Sequence, residues 1–263
     1  MPDDAPPIAR SRSHLTFRTD NGIAGRARIG LVTLATDETI EYEWRQMLDL
    51  PGVGLFGSRI FNASRITPET LRALAGGIAA GAALILPGQK LDVLAFGCTS
   101  ATIVLGEEAV FARLREARPE IACTTPPTAA LAALARLGAR RVAVLTPYRE
   151  DVNATVAAYF QARGLEIVGF GSFSEDDDGV VARIDAASIR DAMLELGRAP
   201  DVEAVFVSCT SLRLAEQAVS LEAALGKPVT SSNHAMAWHA LRLAGVAEAR
   251  PAFGRLFELG LAG

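Results

Sequence analysis

Phe96-Gly97-Cys98-Thr99-Ser100 and Val207-Ser208-Cys209-Thr210-Ser211 close two short apolar runs with the same Cys-Thr-Ser triplet. Each triplet ends the third of four strand-length runs. The first set is Arg28 to Ala35, Val53 to Ile60, Asp92 to Gly97 and Glu120 to Thr124; the second is Arg141 to Thr146, Glu166 to Ser172, Glu203 to Ser208 and Pro228 to Ser232. Cys98 stands 70 positions after Arg28, and Cys209 stands 68 after Arg141. The two halves therefore read as duplicated copies.

Between the runs lie helix-length patterns at Thr39 to Leu50, Pro68 to Leu86, Ala101 to Ala117, Pro127 to Leu137, Val152 to Arg163, Ala187 to Leu196 and Leu212 to Leu225. Thr67-Pro68 has the capping hydroxyl and first-turn proline of a helix start. Strand and helix alternate, which calls for parallel sheets covered on both faces. The expected fold is α/β, in two pseudo-symmetric lobes. Each lobe is a four-stranded parallel sheet flanked by helices, and the active site lies between them. Residues 28–125 plus 235–263 form the first lobe and 126–234 the second, with Pro126-Pro127 at the crossover and 1–27 as a disordered arm. An apolar-charged helix is expected at Gly254 to Leu261.

Composition narrows the function classes. Over 263 residues, 26 basic and 30 acidic side chains leave a net charge of -4, which advertises no polyanionic partner and gives no reason to expect nucleic-acid binding. The longest apolar stretch, Ala73 to Leu86, is interrupted by Gly76, Gly77 and Gly81 and falls short of the ~20 residues of a helical span. No secretory signal is legible in the polar first 27 residues. Three cysteines make no disulfide framework, and free thiols fit a reducing compartment. A soluble, cytoplasmic protein is expected.

The free thiols are where chemistry enters. In an open α/β sheet, ligands sit beyond the carboxyl ends of strands, so two facing lobes put one cysteine on each side of a cleft. A strand that turns at cysteine straight into a helix leaves the amides of Thr99 to Ala101, or of Thr210 to Leu212, free at a helix N-terminus. That partial positive charge favours a thiolate, and the hydroxyls of Thr99, Ser100, Thr210 and Ser211 can hold a carboxylate or an enolate oxyanion. One thiolate can then take a proton or attack carbon while the opposite thiol delivers a proton. Cys123 ends a strand with no Thr-Ser after it and reads as a small filler.

Other features carry less. Gly52, Gly54 and Gly57 match G-x-G-x-x-G, but a helix precedes them and a strand runs through them, the wrong order for a dinucleotide turn. The acidic run Glu175 to Asp178 lacks calcium-loop spacing and reads as a solvated helix start. His234 and His239 are five apart, no Cys-x-x-Cys pair exists, and no metal site is expected. His234 reads as a helix-start histidine bonded to solvent, and Asn153 as part of a helix start.

The segments FGCTSAT at 96–102, SCTSLR at 208–213, RIGLVTLATDETIEYE at 28–43 and VAVLTPY at 142–148 resemble the aspartate/glutamate racemase superfamily, in the branch of maleate cis-trans isomerases and arylmalonate decarboxylases. The likeness runs from about Arg28 to about Leu243. It implies no cofactor or metal, an active site between lobes, and a homodimer or larger homo-oligomer. It makes Cys98 the nucleophile or base, Cys209 the opposing acid or base, and Tyr148 a hydrogen-bond donor to a substrate carboxylate.

Departures from the family pattern point toward substrate. Ser211 stands where amino-acid racemases of the superfamily carry His, and the decarboxylases keep one catalytic cysteine where this chain has two. Asp37 replaces an Asn that helps hold a carboxylate in maleate isomerases. An ionised Asp37 would repel such a group, so a ligand carrying an ammonium or amidinium fits better. The TDETIE segment is similar to racemase-like proteins encoded with ectoine breakdown. The expected activity is inversion of a small amino-acid-like or ectoine-related carboxylate; covalent maleate isomerisation and cytosolic small-molecule binding are the alternatives. Asp37 reads equally well as a helix-start residue.

Overall fold

The computed structural model describes residues 12–261. The first eleven residues of the expected N-terminal arm lie outside them.

The first half runs β1 (Ala27–Leu34), α1 (Ile40–Met47), β2 (Val53–Ile60), α2 (Pro68–Ala73), α3 (Ala75–Leu84), β3 (Val93–Phe96), α4 (Thr99–Leu105), α5 (Glu107–Ala117), β4 (Ala122–Thr124) and α6 (Pro126–Arg136). The second runs β5 (Arg141–Thr146), α7 (Glu150–Gln161), β6 (Glu166–Ser172), α8 (Asp178–Val181), α9 (Ala186–Gly197), β7 (Ala204–Val207), α10 (Ala218–Leu225), β8 (Val229–Ser231) and α11 (Ser232–Leu243). Both sheets are parallel and four-stranded. Their orders, β2-β1-β3-β4 and β6-β5-β7-β8, are the same path drawn twice. The α/β architecture of two sheet-and-helix lobes is thus present, and the third strand of each lobe ends beside the cysteine that follows it.

The period of two in β1 divides the first lobe's core. Ile29 and Leu31 face α1, α6 and α11, whereas Val32 and Leu34 face α2, α3 and α5. The second lobe packs around Phe160 and Phe206, whose rings meet edge to face at 5.3 Å. α6 serves both cores, with Ala129 and Ala133 turned to one and Ala130 and Leu134 to the other. Small residues let it sit between the lobes.

Four helix expectations need correction. The pattern at 68–86 is two helices meeting at Leu74, and that at 101–117 breaks at Gly106, whose φ of 88° favours glycine. The tail forms two 3-10 turns, Pro251–Phe253 and Arg255–Glu258, with Phe253, Leu256 and Phe257 buried in the first lobe's core. Most important for the site, no helix follows Cys209 directly: a 3-10 turn at Ala215–Gln217 precedes α10.

Candidate active site

Cys98 is the N-cap of α4, its carbonyl accepting from the Thr102 amide at 3.2 Å and hydroxyl at 2.7 Å. Gly97 makes the turn tight, since a Cβ there would stand 2.7 Å from the Ile40 side chain on α1. Cys209 reaches the same cleft from the end of β7, with the Ser211 amide donating to its sulfur at 3.4 Å. Thr99, Ser100, Tyr148, Thr210 and Ser211 line this cleft with the two cysteines, so seven of the eight residues singled out from the sequence converge there.

The cleft is nearly shut. Its volume is about 30 Å³, room for about one water. Residues 61–66 after β2 and 174–178 after β6 close over it: Arg65 and Asp177 form an antiparallel bridge, the Ile66 amide donates to the Asp176 carbonyl at 3.0 Å, and the Asp178 amide donates to the Ser64 carbonyl at 3.1 Å. A larger hollow of about 440 Å³, between α1 and residues 182–186 and 213–217, contains neither cysteine. Volume alone would select the wrong site.

Burial dominates the electrostatics. It pushes both cysteine thiols up to about 12, against smaller lowering by the Ala101 amide and Ser100 hydroxyl at Cys98 and by Tyr148 and the Ser211 amide at Cys209. The charges of Asp178 and Asp37 raise both thiols further. The helix-terminus argument for a resting thiolate therefore fails in the closed cleft. At Cys98 desolvation outweighs the amides, and at Cys209 there is no helix terminus. Burial also lifts the Tyr148 hydroxyl well above its ordinary range, with added repulsion from the neighbouring Cys209.

The hydroxyls are not equally free. Thr99 donates to Ser232 at 2.8 Å, and Ser211 donates to Asp178 Oδ1 at 2.8 Å. Ser100, whose Oγ lies 3.9 Å from Cys98 Sγ, has no stronger partner among the described residues.

Asp37 stands beside the cleft rather than in its wall. Its Oδ1 accepts the amides of Thr39 and Ile40, each at 2.8 Å, which is the helix-start role. Its Oδ2 is buried without a hydrogen-bond partner among the described residues, and burial raises the carboxyl to about 7 against lowering by the Ile40 and Thr39 amides and the nearby Thr210 hydroxyl. The acidic-run reading is corrected at one residue. Asp177 caps α8 as a helix start should, but Asp178 is only 5% exposed and lines the cleft, accepting from Ser211 and from the Thr36 hydroxyl of the first lobe. No local signal in the sequence marks it: Asp178 is held in the cleft by long-range partners, Ser211 and Thr36.

His234 is also corrected. It is fully buried, with Nδ1 3.0 Å from Thr230 Oγ1 and Nε2 2.7 Å from the Phe253 carbonyl, so it fastens the tail to α11. A carbonyl partner requires the proton on Nε2. Asn153 belongs to α7 and bonds the Tyr148 carbonyl at 2.7 Å, as a helix-start residue. Cys123 is half-buried and lies outside the cleft.

The Amdase family model, described as arylmalonate decarboxylase, matches residues 61–257. The chain belongs to this family. Over 138 residues it is 41% identical to an arylmalonate decarboxylase of Bordetella bronchiseptica, a match covering 52% of this chain and 58% of that enzyme. A maleate isomerase of Nocardia farcinica is 29% identical over 247 residues, covering 89% of this chain and 96% of the relative. The solved structure of a Cys-to-Ser variant of a Nocardia farcinica maleate cis-trans isomerase, carrying a covalently bound succinylcysteine intermediate, superposes with a TM-score of 0.78 at 26% identity, over 88% of this chain and 98% of that one. The Amdase family thus includes enzymes built on the same two lobes, and the branch implied by the Cys-Thr-Ser turns is the one found. Among the described residues no helix is long and apolar enough to cross a membrane.

Proposed function

We propose that this Amdase-family chain is a cofactor-independent isomerase that inverts a carbon next to a carboxylate, acting on a small amino-acid-like acid such as ectoine or a relative. In the working step the thiolate of one cysteine removes the α-proton, the C–H electron pair passes into the carboxylate as an enediolate, and the opposite thiol returns a proton to the other face. The thiolate then resides on the second cysteine, and the reverse turnover restores the first.

The observation that carries this reading is the buried, unpartnered Oδ2 of Asp37 next to a second buried carboxylate, Asp178, around two thiols. The one arginine lining the cleft among the described residues, Arg65, is 72% exposed in its side chain and paired with Asp176 at 3.3 Å. A dianion such as maleate meets repulsion there. A zwitterion does not: an ammonium or amidinium beside Asp37 and Asp178 offsets the charges that hold both thiols high, so binding itself eases formation of the thiolate.

The test is α-deuterium incorporation in heavy water, followed by proton NMR, with ectoine and small amino acids as probes. Cys98→Ser and Cys209→Ser should each abolish inversion and slow exchange; variants exchanging at the wild-type rate would reject the proposal. Covalent maleate-type isomerisation is the second reading, favoured by the succinylcysteine intermediate of the Nocardia farcinica relative. There Cys98 adds to an alkene carbon, rotation follows, and elimination returns the trans acid. Conversion of maleate to fumarate by this chain would select it.

A further inference from the structure

The two Cys-Thr-Ser turns are held by different devices. The first leads into α4, whose own hydrogen bonds fix it. The second leads into residues 210–214 with no helix, in a buried interface where unpaired backbone groups are costly. First-lobe and α11 side chains take those groups instead. Thr39 Oγ1 donates to the Ser211 carbonyl at 3.0 Å, and Asn233 Nδ2 donates to the Thr210 carbonyl at 2.7 Å. Glu43 Oε1 accepts the amides of Leu214 at 2.6 Å and Ala215 at 2.7 Å, while its Oε2 accepts from Asn233 Nδ2 at 2.8 Å.

Glu43 is only 1% exposed, and three N–H groups converge on its two oxygens. No basic side chain among the described residues pairs with it. A carboxylate surrounded by donors is matched chemically; an amide is not, because one of its two ends is itself a donor. The Trp44 indole donates to the backbone carbonyl of Asn233 at 3.1 Å and anchors that turn of α11, while the side-chain Oδ1 of Asn233 is buried without a partner among the described residues.

We propose that Glu43, acting through Asn233 and the amides of Leu214 and Ala215, is the positioning residue for Cys209, doing across the lobe interface what α4 does locally for Cys98. The proposal rests on Cys209 as a working thiol. It makes the placement of the second cysteine depend on contact between the lobes, so that a lobe separation that leaves Cys98 in place releases Cys209.

The test uses Glu43→Gln and Asn233→Ala. Gln keeps the volume of Glu but sets its NH₂ against a donor; Ala removes both Asn233 bonds and carries the test if the first variant does not fold. Two readouts are taken on the full chain: iodoacetamide labelling of Cys209 relative to Cys98, and amide deuterium exchange in peptides covering 209–215 and 98–105. The expected result is a rise of at least fivefold in the Cys209 to Cys98 labelling ratio, with faster exchange confined to 209–215. An unchanged ratio in both variants, or a parallel rise at both cysteines, overturns the proposal, since general loosening opens both. Failure of the isomerase reading is separate: it shows as turnover surviving in Cys209→Ser, a measurement independent of the labelling ratio read in Glu43→Gln and Asn233→Ala.

Discussion

Ser211 Oγ donates to Asp178 Oδ1 at 2.8 Å, joining the turn after Cys209 to the start of α8, while the other oxygen of Asp178 accepts from Thr36 of the first lobe. One carboxylate therefore ties both lobes to the cysteine turn, and its charge raises both thiols. Asp178→Asn keeps an acceptor and offers an NH₂ to a hydroxyl that can turn round to accept. The fold should survive with a loss below about 2 kcal/mol, as for one altered hydrogen bond. Both cysteines should label with iodoacetamide several-fold faster at pH 9, measured by mass spectrometry. Unchanged labelling at both would show that the Asp178 charge does not reach the sulfurs.

Cys123 gives the control. Its thiol donates to the Ile121 carbonyl at 3.5 Å, outside the cleft. Cys123→Ser should leave α-exchange within twofold of wild type and Tm within a few degrees, and it removes background from every labelling experiment.

The parts of this molecule that the sequence made legible are those governed by period and punctuation. Eight strands with their bounds to within one or two residues, two lobes and the convergence of Cys98 and Cys209 all follow from β-branched runs ending in a repeated triplet. The arrangement after Cys209 was not legible, because Leu212 to Leu225 has helical composition throughout. The helix is displaced by long-range acceptance of the Leu214 and Ala215 amides by Glu43, 171 and 172 positions away. Asp178 and His234 were misread for a similar reason. A polar residue at a helix start is normally solvated, and only the packing of the opposite lobe or of the tail buries these two. Net desolvation at the cysteines is likewise a property of the closed lobes, invisible in a local motif.

His234 predicts an acid-sensitive tail. Burial pushes its pKa from 6.5 down to about 4, so the folded protein holds it neutral while the unfolded chain protonates it below about 6.5. Its contribution to stability is present above pH 6.5 and falls as the pH drops toward 4. His234→Ala leaves the Phe253 carbonyl buried and unpartnered and opens a cavity beside Phe257, costing roughly 2 to 4 kcal/mol. Urea denaturation at pH 7 should show this loss, and the variant should lose part of the wild type's decline between pH 6.5 and 4.5.

Asp37 predicts the opposite slope. Its carboxyl moves from 3.8 unfolded to about 7 folded, chiefly by burial, so between those values the folded protein retains a proton that the unfolded chain has lost. Stability from this group is complete below pH 3.8, declines as the pH rises toward 7, and is then lost; by linkage the whole effect is roughly 4 kcal/mol. Asp37→Asn keeps the Oδ1 acceptor for the Thr39 and Ile40 amides and places a neutral NH₂ at the unpartnered position. Denaturation of wild type and variant at pH 4.5, 6 and 8 should therefore give curves that diverge with rising pH, the variant being the more stable at pH 8. A saturating zwitterionic ligand should narrow that gap by stabilising the wild type more than the variant, because its cation meets two buried carboxylates there and only Asp178 in the variant. If the variant gains as much from the ligand as the wild type does, Asp37 serves α1 and not the substrate.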